Sequence, residues 1–208
     1  MVPKQAGNAQ SAGARRKGPA QRRVELLDCA VEISRTEGLA AVTLRRVADV
    51  LGVTPGLVSH YFSTVDQLVI ETFREASNRD LADTLRVVEA FDSPRARVRA
   101  LIDHVLGDPE AAAPWLDAWS MSRRDEVLAS EVRDRMDEWN APLARIVFAG
   151  NACGEFAAPD PEVAALRLIT MIDGLCALQV VRFDSADEVI RIAYDYASAE
   201  LRIADPLR

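Results

Sequence analysis

The sequence predicts an all-α fold, and three observations predict it. Apolar residues recur at helical spacing along almost the whole chain after residue 20, beginning with Val24, Leu27 and Val31. A capping residue stands directly before a proline at Thr54-Pro55, Ser93-Pro94, Asp108-Pro109 and Asp160-Pro161, which marks a helix start with proline at its first position. No run alternates apolar and polar residues with the period of two that a half-buried strand needs.

Taken in order, residues 1–19 are rich in Gly, Ala and Gln, carry "ARRKG" at 14–18, and read as a disordered basic leader. Such a tail is more often solvated than a specific arm. A first helix is expected over 20–37, stopped by Gly38. Further helices are expected near 44–51, 55–61, 65–90, 94–106, 109–119, 124–149, 161–182 and 186–203. Thr64 with Gln67, and Ser185 with Glu188, have capping-box spacing. There is no internal repeat. The organisation expected is a leader over 1–19, a small head over 20–66 and a helical body over 67–208.

The 208 residues are 49% hydrophobic and 27% charged, enough to bury a core. No uninterrupted apolar run approaches the roughly 18 residues of a membrane span. The best candidate, "LITMIDGLCALQVV" at 168–181, carries Asp173 in its middle. With no apolar stretch for a signal peptide near the N-terminus, a cytoplasmic location without membrane contact is expected. Cys29, Cys153 and Cys176 are widely spaced and lie among apolar helical neighbours, so they are expected to be small buried hydrophobes. No metal and no cofactor are expected.

Charge is divided unevenly. Residues 1–66 hold nine Lys/Arg and six Asp/Glu, while 67–208 hold 16 and 26, within a total net charge of -7. A basic end on an acidic body suggests that one end faces nucleic acid and the rest has another task. Beyond a Debye length the acidic body is screened from a phosphate backbone.

The stretch "TLRRVADVLGVTPGLVSHYFSTVDQL" at 43–68 sharpens that expectation. Two helices of about two turns cannot stand alone and must pack together. Leu44, Val47, Ala48 and Leu51 give the first an apolar face, Gly52 supplies the turn, and Val53, Leu57 or Val58, Tyr61 and Phe62 fill the shared core. That is helix-turn-helix anatomy, in which the second helix enters the major groove. Its outer side would carry Thr54, Gly56, Ser59 and His60, small or hydrogen-bonding groups suited to base edges and phosphates. Pro55 leaves the other N-terminal amides to favour a phosphate. Thr43 caps the helix before it, and Arg45 and Arg46 add two cations beside the groove.

Residues 21–68 resemble the DNA-binding domain of the TetR family of bacterial one-component repressors. The resemblance rests on a first helix ending at Gly38, "TLRRVA", "LGVTPGLVSHYF" and the leucine opening a long fourth helix. It implies DNA contacts from Thr43, Arg45, Thr54, Gly56, Leu57, Ser59, His60 and Tyr61; Arg46, Pro55 and Thr64 complete the expected surface. Leu57 and Tyr61 also have core spacing, and His60 alone would be an ordinary surface histidine. Val65 stands where the family usually has a phosphate-binding lysine. Arg46 or the basic leader are the candidates to replace it.

The body resembles the C-terminal domain of the choline-responsive, BetI-type branch. Trp115, Trp119, Trp139, Gly150, Gly154-Glu155-Phe156 and Asp173-Gly174 carry that resemblance. It implies a homodimer, a small-molecule inducer of unstated identity, and a double-stranded DNA operator. Helical spacing supports the dimer independently. Residues 163–182 are apolar nearly all round, and a helix of that kind is buried on every side. Val163, Leu166, Ile169, Leu178 and Val181, with Val189, Ile192 and Tyr196 of the last helix, are the expected interface, isologous and four-helical.

Trp115 and Trp119, four apart, share a helix face, and Asp117 between them points elsewhere; together they offer aromatic faces and a carboxylate for an amine. Core packing is the more common use of such tryptophans. Met121, Phe148 and Met171 could line the same space or fill it. Asp173, in an apolar sector, must be paired: it either anchors a cationic ligand or plays a structural role in the dimer, and the branch pattern favours the second. An enzyme is not expected, since His60 and His104 are far apart and no HExxH, GxSxG or Gly-rich phosphate loop occurs. A ligand-independent DNA-binding protein is the remaining alternative, against which the size of the body argues.

Overall fold

The computed structural model describes residues 18–182 and 185–207, and among these the chain is all-helical. The basic leader, apart from its last two residues, lies outside the described residues. The helices are α1 (Pro19–Thr36), α2 (Leu44–Leu51), α3 (Pro55–Tyr61), α4 (Val65–Glu89), α5 (Pro94–Gly107), α6 (Ala113–Ser122), α7 (Glu126–Cys153), α8 (Pro161–Val180) and α9 (Ala186–Glu200). Short 3₁₀ turns at Leu39–Ala41 and Pro109–Ala112 link α1 to α2 and lead into α6.

Most caps act as their residue types dictate, but Asp108 makes no side-chain cap bond, and the helix expected over 109–119 is a 3₁₀ turn at Pro109–Ala112 followed by α6. Thr43, Thr54, Thr64, Ser93 and Ser185 each accept a bond from an amide three residues on, satisfying a donor the first turn leaves open. Asp125 and Asp160 each take two such amides. Gly52 ends α2 in the left-handed region at φ 64° and turns the chain into α3. The expected helix over 124–149 instead runs over 126–153 and ends at Gly154 in the left-handed region; Gly150 lies inside it, where the Phe156 ring leaves no room for a side chain.

Two apolar clusters organise the packing. One joins Leu26, Ala30, Ile33, Leu39, Val47, Ala48, Val58, Phe62, Leu68 and Phe73 of the first four helices to Ala118, Leu128 and Val132 of α6 and α7. The other joins α4, α5, α7, α8 and α9 around Ile102, Leu106, Leu143, Leu168, Ile172, Ala193 and Leu201. Phe62 and Phe73 are wholly buried; truncating either to alanine removes transfer energy and leaves a void, about 3–5 kcal/mol together. The head is thus seated on the body through shared apolar contacts rather than hung from a linker.

α8 has the length and mean hydropathy of 1.7 of a membrane-crossing helix. Its apolar surface is taken up by its own chain on one side, where Ala164, Ala165, Leu168, Ile172 and Leu175 are buried, and left bare at Val163, Leu166, Val180 and Val181 on the other. One cysteine departs from expectation. Cys176 is buried and Cys29 half-buried, but Cys153 is exposed in the last turn of α7.

Candidate functional site

On the head, α2 and α3 cross with Val47, Ala48 and Val58 fully buried between them. That leaves Arg45, Arg46, Thr54, Pro55, Gly56, Ser59, His60 and Thr64 exposed, with Thr43, Leu57 and Tyr61 half-buried at the edge. The Ser59 hydroxyl donates to the Gly56 carbonyl at 3.1 Å. The His60 and Tyr61 rings meet edge to face, 5.2 Å apart. Arg45 is almost fully extended into solvent, with only a loose pairing to Asp49 at 3.9 Å. Arg46 is different: its guanidinium grips Glu37 through two nitrogens, at 2.6 and 2.9 Å, and ties α2 to the end of α1. That pairing holds Glu37 below the ordinary carboxylate range and raises Arg46. Arg46 would have to leave Glu37 to replace the missing lysine at Val65.

In the body, a cavity of about 350 Å³ is enclosed by residues of α1, α4, α5, α6, α7 and α8. Trp115 and Trp119 of α6 and Trp139 of α7 line it. Trp115 is the hub of an aromatic cluster, 5.9 Å from Trp119, 6.5 Å from Trp139 and 4.9 Å from Phe73 between ring centres. The Trp139 indole N–H donates to Ser77 at 3.2 Å, which fixes that ring. Asp173 of α8 faces the same space. Burial pushes its carboxyl up to about 7, and no described residue pairs with it. Asn140 adds a buried amide oxygen without a partner. The cavity therefore brings together aromatic rings, a carboxyl with no described partner and a buried acceptor, the kinds of group that cation recognition uses.

Four residues expected at the ligand site lie outside this cavity. The Asp117 carboxylate accepts the Leu39 amide at 2.6 Å, because its position two residues from Trp115 turns it to the head side of α6. Met121 packs with the head cluster and Met171 with the body cluster. Phe148 is exposed on α7. Among the expected interface residues, Val189 is fully buried within its own chain and is no surface residue. Ile169 and Leu166 line the cavity, Leu166 also being exposed at its rim. Val163, Val181, Ile192 and Tyr196 remain bare and Leu178 half-buried.

Sequence spacing missed Arg35, Asp80, Asp108 and Asn140, which the fold brings to the cavity from four different segments. Arg35 ends α1 and pairs with Asp80 of α4 at 3.1 Å and with Asp108 at 3.5 Å. Burial outweighs that pairing and raises Asp80 to about 6.

The comparisons with known proteins agree with this geometry. Residues 94–202 match the model of the BetI-type transcriptional repressor C-terminal domain, and residues 26–72 that of the tetR family of bacterial regulatory proteins. The chain belongs to the BetI-type branch of the TetR family. It is a transcriptional regulator and not an enzyme. HTH-type transcriptional regulators BetI from Burkholderia ambifaria and Burkholderia pseudomallei are each 33% identical over 187 residues, covering 84% of this chain and 91% of theirs. Among solved structures, a TetR-family regulator from Rhodococcus sp. shares the fold at TM-score 0.76 and 20% identity, over 88% of this chain and 99% of that one. A transcriptional regulator from Saccharomonospora viridis in complex with choline shares it at TM-score 0.77 and 21% identity, over 85% and 95%.

Proposed function

We propose that this TetR-family regulator is a repressor that grips a near-palindromic operator as a homodimer and releases it when a small quaternary-ammonium cation enters the body. Residues 20–66 form the DNA-reading head, with Ser59, His60, Tyr61, Thr54 and Gly56 on the base-facing side and Thr43, Arg45 and Thr64 toward phosphates. Val163, Val181, Ile192 and Tyr196 of α8 and α9, apolar and bare in the single chain, form the twofold interface. The protein acts in the cytoplasm, where its operator lies.

One observation carries the ligand class: Asp173, a carboxylate with no partner among the described residues, shares a cavity with three tryptophan rings. A permanent cation meets both, since the ring faces attract it and its charge stabilises the ionised carboxyl. The choline held by the Saccharomonospora viridis relative has that chemistry. Release follows if cation and operator favour different seatings of head on body. The test is a melting titration with choline beside the uncharged alcohol in which carbon replaces nitrogen, followed by gel shifts on operator fragments. Choline must raise the melting temperature and free the DNA while the uncharged alcohol does neither; equal responses to the two would remove the cation from the mechanism.

A further inference from the structure

Two carboxylates line the cavity with little exposure, yet the fold provides a cation for only one. Asp80, with 15% of its side chain exposed, holds the Arg35 guanidinium at 3.1 Å. Asp173, on α8, lines the same cavity and has no described partner. The remaining carboxylates around the space, Asp83, Asp108 and Asp137, are exposed and hydrated, and Asp83 is in addition bonded to Arg86. His104 is the other titratable nitrogen on the lining. Arg35 is unusual among the lining residues in its origin. It comes from the last turn of α1, inside the segment that matches the DNA-binding family model, and reaches across to the body.

We propose that Arg35 fills a second cation position of this cavity, restricting the ligand to one positive charge and fastening the head's first helix to the ligand-binding wall. The inference rests on the cationic-ligand reading above and specifies the charge that the site accepts. A dication entering the wild-type cavity would carry its second charge toward a guanidinium already seated on Asp80, and like charges at such range repel strongly in a partly desolvated space. Burial lifts Asp80 only to about 6, so it remains largely ionised at neutral pH and needs a counter-ion there. Removing Arg35 leaves a poorly hydrated carboxylate facing the cavity, which an incoming second cation can satisfy.

Arg35→Gln tests this by calorimetric titration of wild type and variant with choline and with alkanes bearing a trimethylammonium group at each end, in increasing chain length. The wild type should bind choline at least about tenfold more tightly than any dication of the series. In the variant the dication whose length spans the two carboxylates should gain about tenfold in affinity relative to choline. The double variant R35Q/D80N should lose that gain, which a purely structural ion pair between α1 and α4 would not require. An unchanged ratio of dication to choline affinity in R35Q overturns the proposal. So does a wild-type protein that binds one of the dications as tightly as choline, a result that needs no variant to fold. A wild type that binds none of these cations overturns the cationic-ligand reading itself, and this inference with it.

Discussion

Asp173→Asn is the most informative single change, because it separates the charge of the cavity carboxyl from its shape. In the folded chain burial raises this carboxyl from 3.8 to about 7. The unfolded chain ionises it near 3.8, so between these values the unfolded state has shed a proton that the folded state retains. Stability conferred by Asp173 is therefore complete below about pH 4 and is lost as pH rises through about 7. Each pH unit across that window costs about 1.4 kcal/mol, and the whole shift about 4 kcal/mol. Asparagine escapes this cost. The variant should match wild type near pH 4 and be more stable by about 4 kcal/mol at pH 8, a rise in melting temperature on the order of 8–16 °C for a chain of this size. Asp80, His104, Arg35, Asp83, Asp108 and Asp137 line the same cavity in both proteins, so the difference between the two melting curves isolates Asp173.

Under the proposed function, the same change removes the response to cation. A bound ammonium needs the ionised carboxylate, so wild-type affinity for choline should weaken about tenfold from pH 8 to pH 6, as the ionised fraction falls. Asp173→Asn should show neither that pH dependence nor a melting shift with choline. Melting curves by circular dichroism at several pH values, with and without choline, measure all of this at once. Equal melting temperatures for variant and wild type at pH 8 would refute the claim that this carboxyl is desolvated without a partner.

Four further outcomes follow from the same geometry. Asp117→Ala leaves the wholly buried Leu39 without a partner for its amide and should lower stability by about 1–3 kcal/mol by denaturant titration, Asp117→Asn by less. Gly38→Ala should be similarly damaging, about 1–3 kcal/mol, since φ is 93° there and a Cβ would stand 2.9 Å from the Asp117 carboxylate; a neutral result would mean the turn can relax. Ser59→Ala or Tyr61→Ala should weaken operator binding in a gel-shift titration by about 1–3 kcal/mol while the protein stays folded, whereas wild-type affinity would count against α3 as the reading helix. Ile192→Asp should yield monomers in solution scattering, and with them a loss of operator affinity, because its exposed apolar face belongs to the proposed twofold contact.

What the sequence made legible is what local chemistry determines. Thr43, Thr54, Thr64, Ser93, Asp160 and Ser185 announce helix starts because a cap acts within its own first turn, and all six cap in the structure. The end of α7 is less legible for the converse reason: Gly150 lies inside the helix, and the ring that demands a glycine there, Phe156, returns from beyond the helix end. The cavity divides along the same line. Trp115, Trp119 and Asp173 are visible as types, aromatic faces and an acid in an apolar sector, but Arg35, Asp80, Asp108 and Asn140 look like ordinary surface polar residues until four segments converge. Asp117 shows how the two levels join. Its own spacing turns it from the tryptophans, and only the fold reveals that it turns toward the Leu39 amide at the entrance to α2. One side of α6 thus lines the cavity while the other holds the head, so under the proposed function a cation that shifts the tryptophans also loads the contact between α6 and the turn before α2.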